Sequence, residues 1–264
     1  MELKGRRVLV VGLGLSGLAA ARLLIREGAR VKATDLRPAG QLRPEVKDLE
    51  ALGVELHLGG HPERLFSEAQ LIVISPGVPL YQPGLVAARA QGVEIIGELG
   101  LAASLLKIPM VAVSGTNGKS TTTALIAHLL QAGGRRVFLG GNIGRALSQC
   151  LTDEPQAELA VVEVSSFQLE ALPFFKPKVA VMTNLSPDHL DRHPNYEAYV
   201  QVKARLWADL GPQDALVLNR ADQTLPSLAR DCQARLYLFD LNQSQKPGTD
   251  DPGAYLTDRA RALL

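Results

Sequence analysis

The sequence predicts an α/β protein made of two consecutive parallel-sheet domains, and three observations carry that expectation. An apolar run at residues 7–11 meets Gly12-Leu13-Gly14-Leu15-Ser16-Gly17, then a helical pattern, then a second apolar run that ends at Asp35. Further on, the run 110–114 meets Gly115-Thr116-Asn117-Gly118-Lys119-Ser120-Thr121, again followed by a helical pattern. Short apolar runs alternate with helix-compatible stretches throughout, which is the pattern of a parallel sheet covered by helices on both faces. The fold class is therefore a Rossmann-like N-terminal domain followed by a phosphate-loop (P-loop) mononucleotide-binding domain.

The first domain is expected to run strand 7–11, helix through Leu18, Ala21, Leu23, Leu24 and Ile25, strand 30–34, helix 45–52, strands 54–58 and 71–74, helix 85–91 and strand 93–96. Strand 71–74 breaks at Ser75-Pro76-Gly77-Val78-Pro79, where two prolines and a glycine impose a rigid turn. The boundary falls near Gly97, giving domains 1–97 and 98–264, because helix 99–106 leads into the strand of the phosphate loop. The second domain is expected to hold strands 110–114, 136–139, 159–164, 178–183, 215–219 and 236–239. A polar, turn-rich stretch after Asn242 and a brief amphipathic segment, 255–264, close the chain.

Bulk properties narrow the function classes. With 264 residues, each of two domains is long enough to bury its own core. Hydrophobic residues are 46% and charged ones 21%, which excludes a disordered or fibrous class. A net charge of +1 gives no bulk attraction for nucleic acid. Cys150 and Cys232 have no C-x-x-C spacing, which argues against a disulfide scaffold or a structural zinc site. Neither a signal peptide nor an apolar run of about 18 residues is visible, so a soluble cytoplasmic protein is expected. Nothing in the sequence fixes the oligomeric state, and a monomer is taken as the expectation.

The glycine-flanked turn at 115–121 has the layout of a phosphate cradle. Backbone N–H groups at a helix N-terminus face the anion, Lys119 reaches the outer phosphates, and the Ser120 hydroxyl can ligate Mg²⁺. The pattern G-x-x-x-x-G-K-[ST] would place glycine at 113, where this chain has Val113. Gly12–Gly17 is a weaker signal with three readings: a dinucleotide with Asp35 on a ribose hydroxyl, the diphosphate of another nucleotide-linked ligand, or helix–strand packing alone.

Three more positions invite chemistry. Glu163 ends the apolar run 159–162, where a Mg²⁺-ligating acid of a phosphate-loop sheet belongs. Asp188-His189-Leu190-Asp191-Arg192-His193 follows strand 178–183; its carboxylates and imidazoles either line a metal-phosphate site or, for His189, leave a helix-capping or surface histidine. In residues 195–207, helical spacing aligns Lys203 with Tyr196, Tyr199, Val200, Leu206 and Trp207. An ammonium on an apolar stripe either snorkels to its edge or has its pKa lowered enough to react with CO₂.

Together, Gly12–Gly17, Ser75–Pro79, Gly115–Thr121, Gly141-Asn142-Ile143-Gly144, the segment Glu163-Val-Ser-Ser-Phe-Gln-Leu169 and Asp188–Asp191 resemble the Mur ligases in type and order. Within that family the match is to the branch that adds D-glutamate to UDP-N-acetylmuramoyl-L-alanine at the expense of ATP. The resemblance accounts for Val113, because the family's loop is the shorter G-[ST]-N-G-K-[ST]-T form. It implies that Leu15, Ser16, Asp35, Arg37, Ser75 and Gly77 contact the uridine nucleotide, with Asn142 and His189 at the muramoyl end. It implies that residues 115–121 bind ATP. Mg²⁺ would be held by Ser120, Glu163, His189 and a carbamylated Lys203, and Lys119, Lys203, His189 and Asn142 would serve the chemistry.

The family's chemistry is carboxylate activation to an acyl phosphate, then amine attack and loss of phosphate. The resemblance also implies an adenine-binding, histidine-containing segment and a third domain. All five histidines here lie at or before His193, so these 264 residues are expected to bind the UDP substrate but to ligate poorly or not at all. Competing readings are a relative adding L-alanine to UDP-N-acetylmuramate, a non-catalytic UDP-sugar-binding module, and an NAD(P)-dependent oxidoreductase. The last leaves the phosphate loop and Lys203 without a purpose.

Overall fold

The computed structural model of the protein describes residues 1–240, so the turn-rich stretch and the amphipathic segment expected beyond Asn242 lie outside the described residues. The chain forms two compact units. Unit 1 comprises Met1–Lys107, Gly140–Ala157 and Glu170–Phe174; unit 2 comprises Ile108–Leu139, Glu158–Leu169 and the chain from Phe175 on.

Unit 1 begins with β1 (Arg7–Val11), α1 (Leu15–Arg26), β2 (Arg30–Asp35), α2 (Asp48–Ala51), β3 (Glu55–Leu58), α3 (Glu63–Glu68), β4 (Leu71–Ile74), α4 (Pro83–Ala90), β5 (Glu94–Gly97) and α5 (Glu98–Leu105). Its five strands lie in the order β3-β2-β1-β4-β5, all parallel. Strand composition follows position. Central β4 is apolar and buried throughout, whereas edge strand β3 is only half-buried. Leu9, Val11, Ile72 and Ile74 form a core with Leu65 and Phe66 of α3 and Leu85 of α4. The order reverses between β1 and β4, which opens a crevice at their carboxyl ends, beside Gly12–Gly17 and Ser75–Pro79.

Two details differ from the expected elements. The helix expected at 45–52 is a 3₁₀ turn, Pro44–Val46, followed by the single turn of α2, closed by Gly53 at φ 89°. Helix α3 is absent from the sequence reading because its two core side chains, Leu65 and Phe66, are adjacent and carry no 3.6-residue period. Helix α5 belongs to unit 1, and so does the later segment Gly140–Ala157. The Glu98 carboxylate at the start of α5 accepts the Ser148 backbone N–H at 2.7 Å, and both residues are fully buried.

The remaining elements are β6 (Met110–Ser114), α6 (Lys119–Ala132), β7 (Val137–Gly141), α7 (Ser148–Thr152), β8 (Leu159–Glu163), α8 (Ser166–Glu170), β9 (Val179–Met182), α9 (Tyr196–Ala204), β10 (Ala215–Asn219), α10 (Leu225–Leu228) and β11 (Arg235–Phe239). They supply a six-stranded sheet ordered β11-β10-β9-β6-β8-β7. Its β6–β8, β6–β9, β9–β10 and β10–β11 pairings are parallel. Strand β6 sits between β8 and β9, so its phosphate loop emerges between the ends of those two strands. Asn195 caps α9 by accepting the Ala198 N–H at 2.8 Å, which fixes the start of the helix that carries Lys203.

Candidate functional site

In unit 1 the switch-point crevice is a cavity of about 530 Å³. Leu15, Ser16, Asp35, Arg37, Ser75 and Gly77 all line it, as do Gly12, Gly14 and His61. The first glycine turns the chain at φ 85°, and the Ser75 hydroxyl donates to its carbonyl at 2.8 Å, tying the β1 and β4 loops together. Gly17 allows α1 to sit against that turn, since a Cβ there would stand 1.8 Å from the Gly12 carbonyl oxygen.

Asp35 is engaged by its own surroundings. One carboxylate oxygen accepts the Leu13 N–H at 2.7 Å and the other the Arg37 N–H at 2.9 Å. The Arg37 guanidinium adds a fork, at 3.0 Å through Nε and 2.8 Å through its terminal nitrogen. Burial alone would raise the pKa of Asp35, but these donors outweigh it and hold the carboxyl at about 2. Asp35 thus shapes the glycine turn and aims Arg37, a cation at the mouth of the cavity.

In unit 2 the phosphate loop is cross-braced. Gly115 has φ 146°, and a Cβ there would lie 1.9 Å from the Thr183 hydroxyl, so the loop passes against the end of β9. Thr183 donates to the Asn117 carbonyl at 2.7 Å, and the Asn184 side chain both accepts from Asn117 N–H at 2.9 Å and donates to its carbonyl at 3.0 Å. Thr116 meets the Tyr199 hydroxyl at 2.9 Å. Lys119 Nζ folds back onto the Thr116 carbonyl at 2.7 Å, and Ser120 donates to Glu163 Oε2 at 2.6 Å. Ser120 and the buried Glu163 thus pair a hydroxyl with a carboxylate at a helix N-terminus. Among the described residues no three His, Cys, Asp or Glu side chains cluster as a metal site. Hard oxygens in small number suit Mg²⁺, which is commonly held by one or two protein oxygens plus substrate phosphates.

Lys203 does not snorkel. It is 2% exposed, and its Nζ donates to the Gly115 carbonyl at 2.7 Å and to Ser114 Oγ at 3.3 Å, 5.2 Å from the centre of the Tyr199 ring. Burial and the charge of Lys119 push its pKa down to about 7, against the opposing pull of Asp188 and Glu163. Below about pH 7 both native and unfolded lysine are charged and the burial penalty is complete; from there towards 10.5 only the unfolded lysine binds the proton, so stability rises with pH. Lys203→Met is therefore expected to be more stable than wild type at about pH 6, by an amount that shrinks on going to about pH 9. Urea unfolding at both values checks this, and a pH-independent difference would contradict it.

Gly115 and Thr116 are buried in the loop, while Asn117, Gly118, Ser120 and Thr121 face outward at its mouth. Asn142 is exposed on the turn after β7, in the segment that belongs to unit 1. His189 is exposed at the left-handed φ of 51°, its ring tilted on Phe167 at 4.8 Å and its Nε2 3.5 Å from Asp188. His193 is instead buried, against Ser166 at 3.1 Å and the Tyr199 ring. His61 and Tyr199 join the sites without a local sequence signal that marks them. Tyr199 was visible only as an apolar-stripe residue, and His61 follows Gly59-Gly60 with no periodicity to mark it.

Comparison with known proteins places the chain among known families. A family model described as Mur ligase MurD-like, N-terminal domain, matches residues 6–97, and one described as Mur ligase middle domain matches residues 113–252. The chain is 46% identical to the UDP-N-acetylmuramoylalanine--D-glutamate ligase of Anaeromyxobacter dehalogenans over 99% of its own length and 58% of that protein's. It is 44% identical to the ligase of the same name from Acidobacterium capsulatum, over 94% of this chain and 54% of that protein. The chain thus spans little more than half the length of the curated relatives it matches. Among solved structures, the fold matches UDP-N-acetylmuramate:L-alanyl-gamma-D-glutamyl-meso-diaminopimelate ligase from Neisseria meningitides at a TM-score of 0.61 and 21% identity, over 89% of this chain and 78% of that one. It also matches the UDP-N-acetylmuramate-alanine ligase of Thermotoga maritima at 0.54 and 23%, over 90% of this chain and 53% of that one. The chain belongs to the Mur ligase family, joining a MurD-like N-terminal domain to a Mur ligase middle domain.

Proposed function

We propose that this chain carries the substrate-binding and ATP-binding parts of a cytoplasmic, Mg²⁺-dependent ligase that adds D-glutamate to UDP-N-acetylmuramoyl-L-alanine. Residues 1–97 hold the uridine nucleotide in the switch-point cavity, and residues 98–264 hold the phosphates of ATP on Gly115–Thr121. The observation that carries the reading is Lys203, a buried amine locked to the carbonyl of the phosphate loop itself. A Rossmann-type oxidoreductase has no use for it. The relatives named as D-glutamate ligases favour this substrate pair over L-alanine and UDP-N-acetylmuramate.

In this reading the substrate carboxylate attacks the γ-phosphorus of ATP, an O–P bond forms and ADP leaves. The amine of D-glutamate then attacks the acyl carbon, the C–O bond to phosphate breaks, and the amine loses a proton. Lys119 leaves the Thr116 carbonyl to neutralise the outer phosphates and the transferring phosphoryl group. Ser120 and Glu163, with His189 and a carbamylated Lys203, would hold Mg²⁺, which when bound would supply charge neutralisation. Lys203 reaches the carbamate as a neutral amine adding to CO₂, with formation of an N–C bond and release of one proton. Its depressed pKa makes that neutral form accessible near neutral pH. Asn142 contacts the muramoyl end of the substrate. The experiment that tests the proposal is a binding titration of UDP-N-acetylmuramoyl-L-alanine against NADH.

A further inference from the structure

We propose that His61 reads the nucleoside in the unit 1 cavity, its Nε2 accepting a hydrogen bond from an N–H or O–H of uridine. The inference rests on the uridine-nucleotide reading of that cavity and adds a specificity-determining residue to it. Proton accounting fixes the tautomer. The Thr34 hydroxyl has one proton and donates it to the Gly60 carbonyl at 2.8 Å. Its 2.9 Å contact with His61 Nδ1 therefore requires the imidazole to be the donor there. A neutral ring protonated at Nδ1 carries its lone pair on Nε2. Burial pushes His61 below the usual histidine range, against the opposing charge of Asp35, which favours that neutral ring.

Position and orientation are fixed as well. Thr34 is completely buried, so the contact that sets the tautomer is shielded from water. The ring stands edge-on to Phe66, at 6.2 Å and 87°. His61 lines the cavity, and among the described residues its Nε2 has no partner. Asp35, the acid expected to hold a ribose hydroxyl, already accepts from Leu13 and three nitrogens of Arg37. A nucleoside donor entering the cavity therefore finds an imidazole acceptor beside a carboxylate engaged elsewhere. The uridine of a 5′-diphosphate offers three such donors: N3–H of the base and the 2′ and 3′ hydroxyls.

The test is a calorimetric cycle with wild type and His61→Leu against UDP, 3-methyluridine diphosphate, 2′-deoxy-UDP and 3′-deoxy-UDP. Wild type is expected to bind UDP about tenfold more tightly than His61→Leu does, the order of one net hydrogen bond. One of the three analogues, the one lacking the donor that His61 reads, is expected to bind both proteins equally. His61→Gln, which keeps an acceptor, is expected to recover part of the UDP affinity, and thermal melts verify that each variant is folded. An equal loss for all four ligands, or no loss for UDP, would overturn the role of His61 while leaving the uridine site intact. Failure of wild type to bind UDP would overturn the site and the inference together. An unfolded His61→Leu leaves the analogue comparison to His61→Gln, where an equal affinity change for all four ligands, or none, counts against the role.

Discussion

Gly17→Ala is expected to destabilise unit 1 by about 3 kcal/mol, lowering the melting temperature by roughly 10 °C, because the added Cβ has nowhere to go. It would stand 1.8 Å from the Gly12 carbonyl oxygen and 2.9 Å from Ser75 Oγ. The first of these is backbone in the turn that defines the cavity, so relief requires α1 to move away from β1 and the cavity to open with it. Gly14→Ala is the matched control. A Cβ there meets nothing within 4 Å, and the backbone at φ −73° suits any residue. That variant is expected to keep its fold but to hold a diphosphate less closely, since the second glycine of such a turn lets the backbone approach the anion. Thermal melts and UDP titrations of both variants check the split; equal stability of Gly17→Ala and wild type would contradict it.

In a full-length ligase containing this segment, the proposed function predicts that Lys203→Ala reduces ADP release dependent on D-glutamate and UDP-N-acetylmuramoyl-L-alanine by about 10³-fold, the scale of losing a preorganised charge at a phosphoryl-transfer site. Short carboxylates added in solution are expected to restore part of the rate by occupying the place of the carbamate. In ¹³CO₂-equilibrated protein, a carbamate carbon signal is expected for wild type and absent from the variant. Full activity of Lys203→Ala would refute the carbamate. Loss of activity without rescue and without a wild-type carbamate signal would reduce Lys203 to a brace for the Gly115 carbonyl.

Sequence legibility tracks the distance over which each feature is specified. The two glycine turns are local: each needs a strand, a few special backbone positions and a helix start, and all of that is contiguous in Val11–Gly17 and Ser114–Thr121. Central strands β1, β4 and β8 are legible because burial on both faces demands continuous apolar runs. Lys203 is legible as a problem, a charge on an apolar stripe, but its solution lies 88 residues away at Gly115. The tautomer of His61 depends on Thr34, 27 residues earlier, and on which carbonyl takes the Thr34 proton. No spacing rule encodes that. The membership of α5 and Gly140–Ala157 in unit 1 is equally non-local, since it includes one buried carboxylate meeting a backbone N–H 50 residues on. Among the described residues, no helix is long and apolar enough to cross a membrane.

The uridine-nucleotide reading of the first glycine turn is what separates a ligase of this family from a dinucleotide oxidoreductase, and calorimetric titration distinguishes them directly. Saturable binding of UDP-N-acetylmuramoyl-L-alanine is expected, competed by UDP and indifferent to NADH. Saturable binding of NADH, with no heat from UDP-N-acetylmuramoyl-L-alanine, would contradict it.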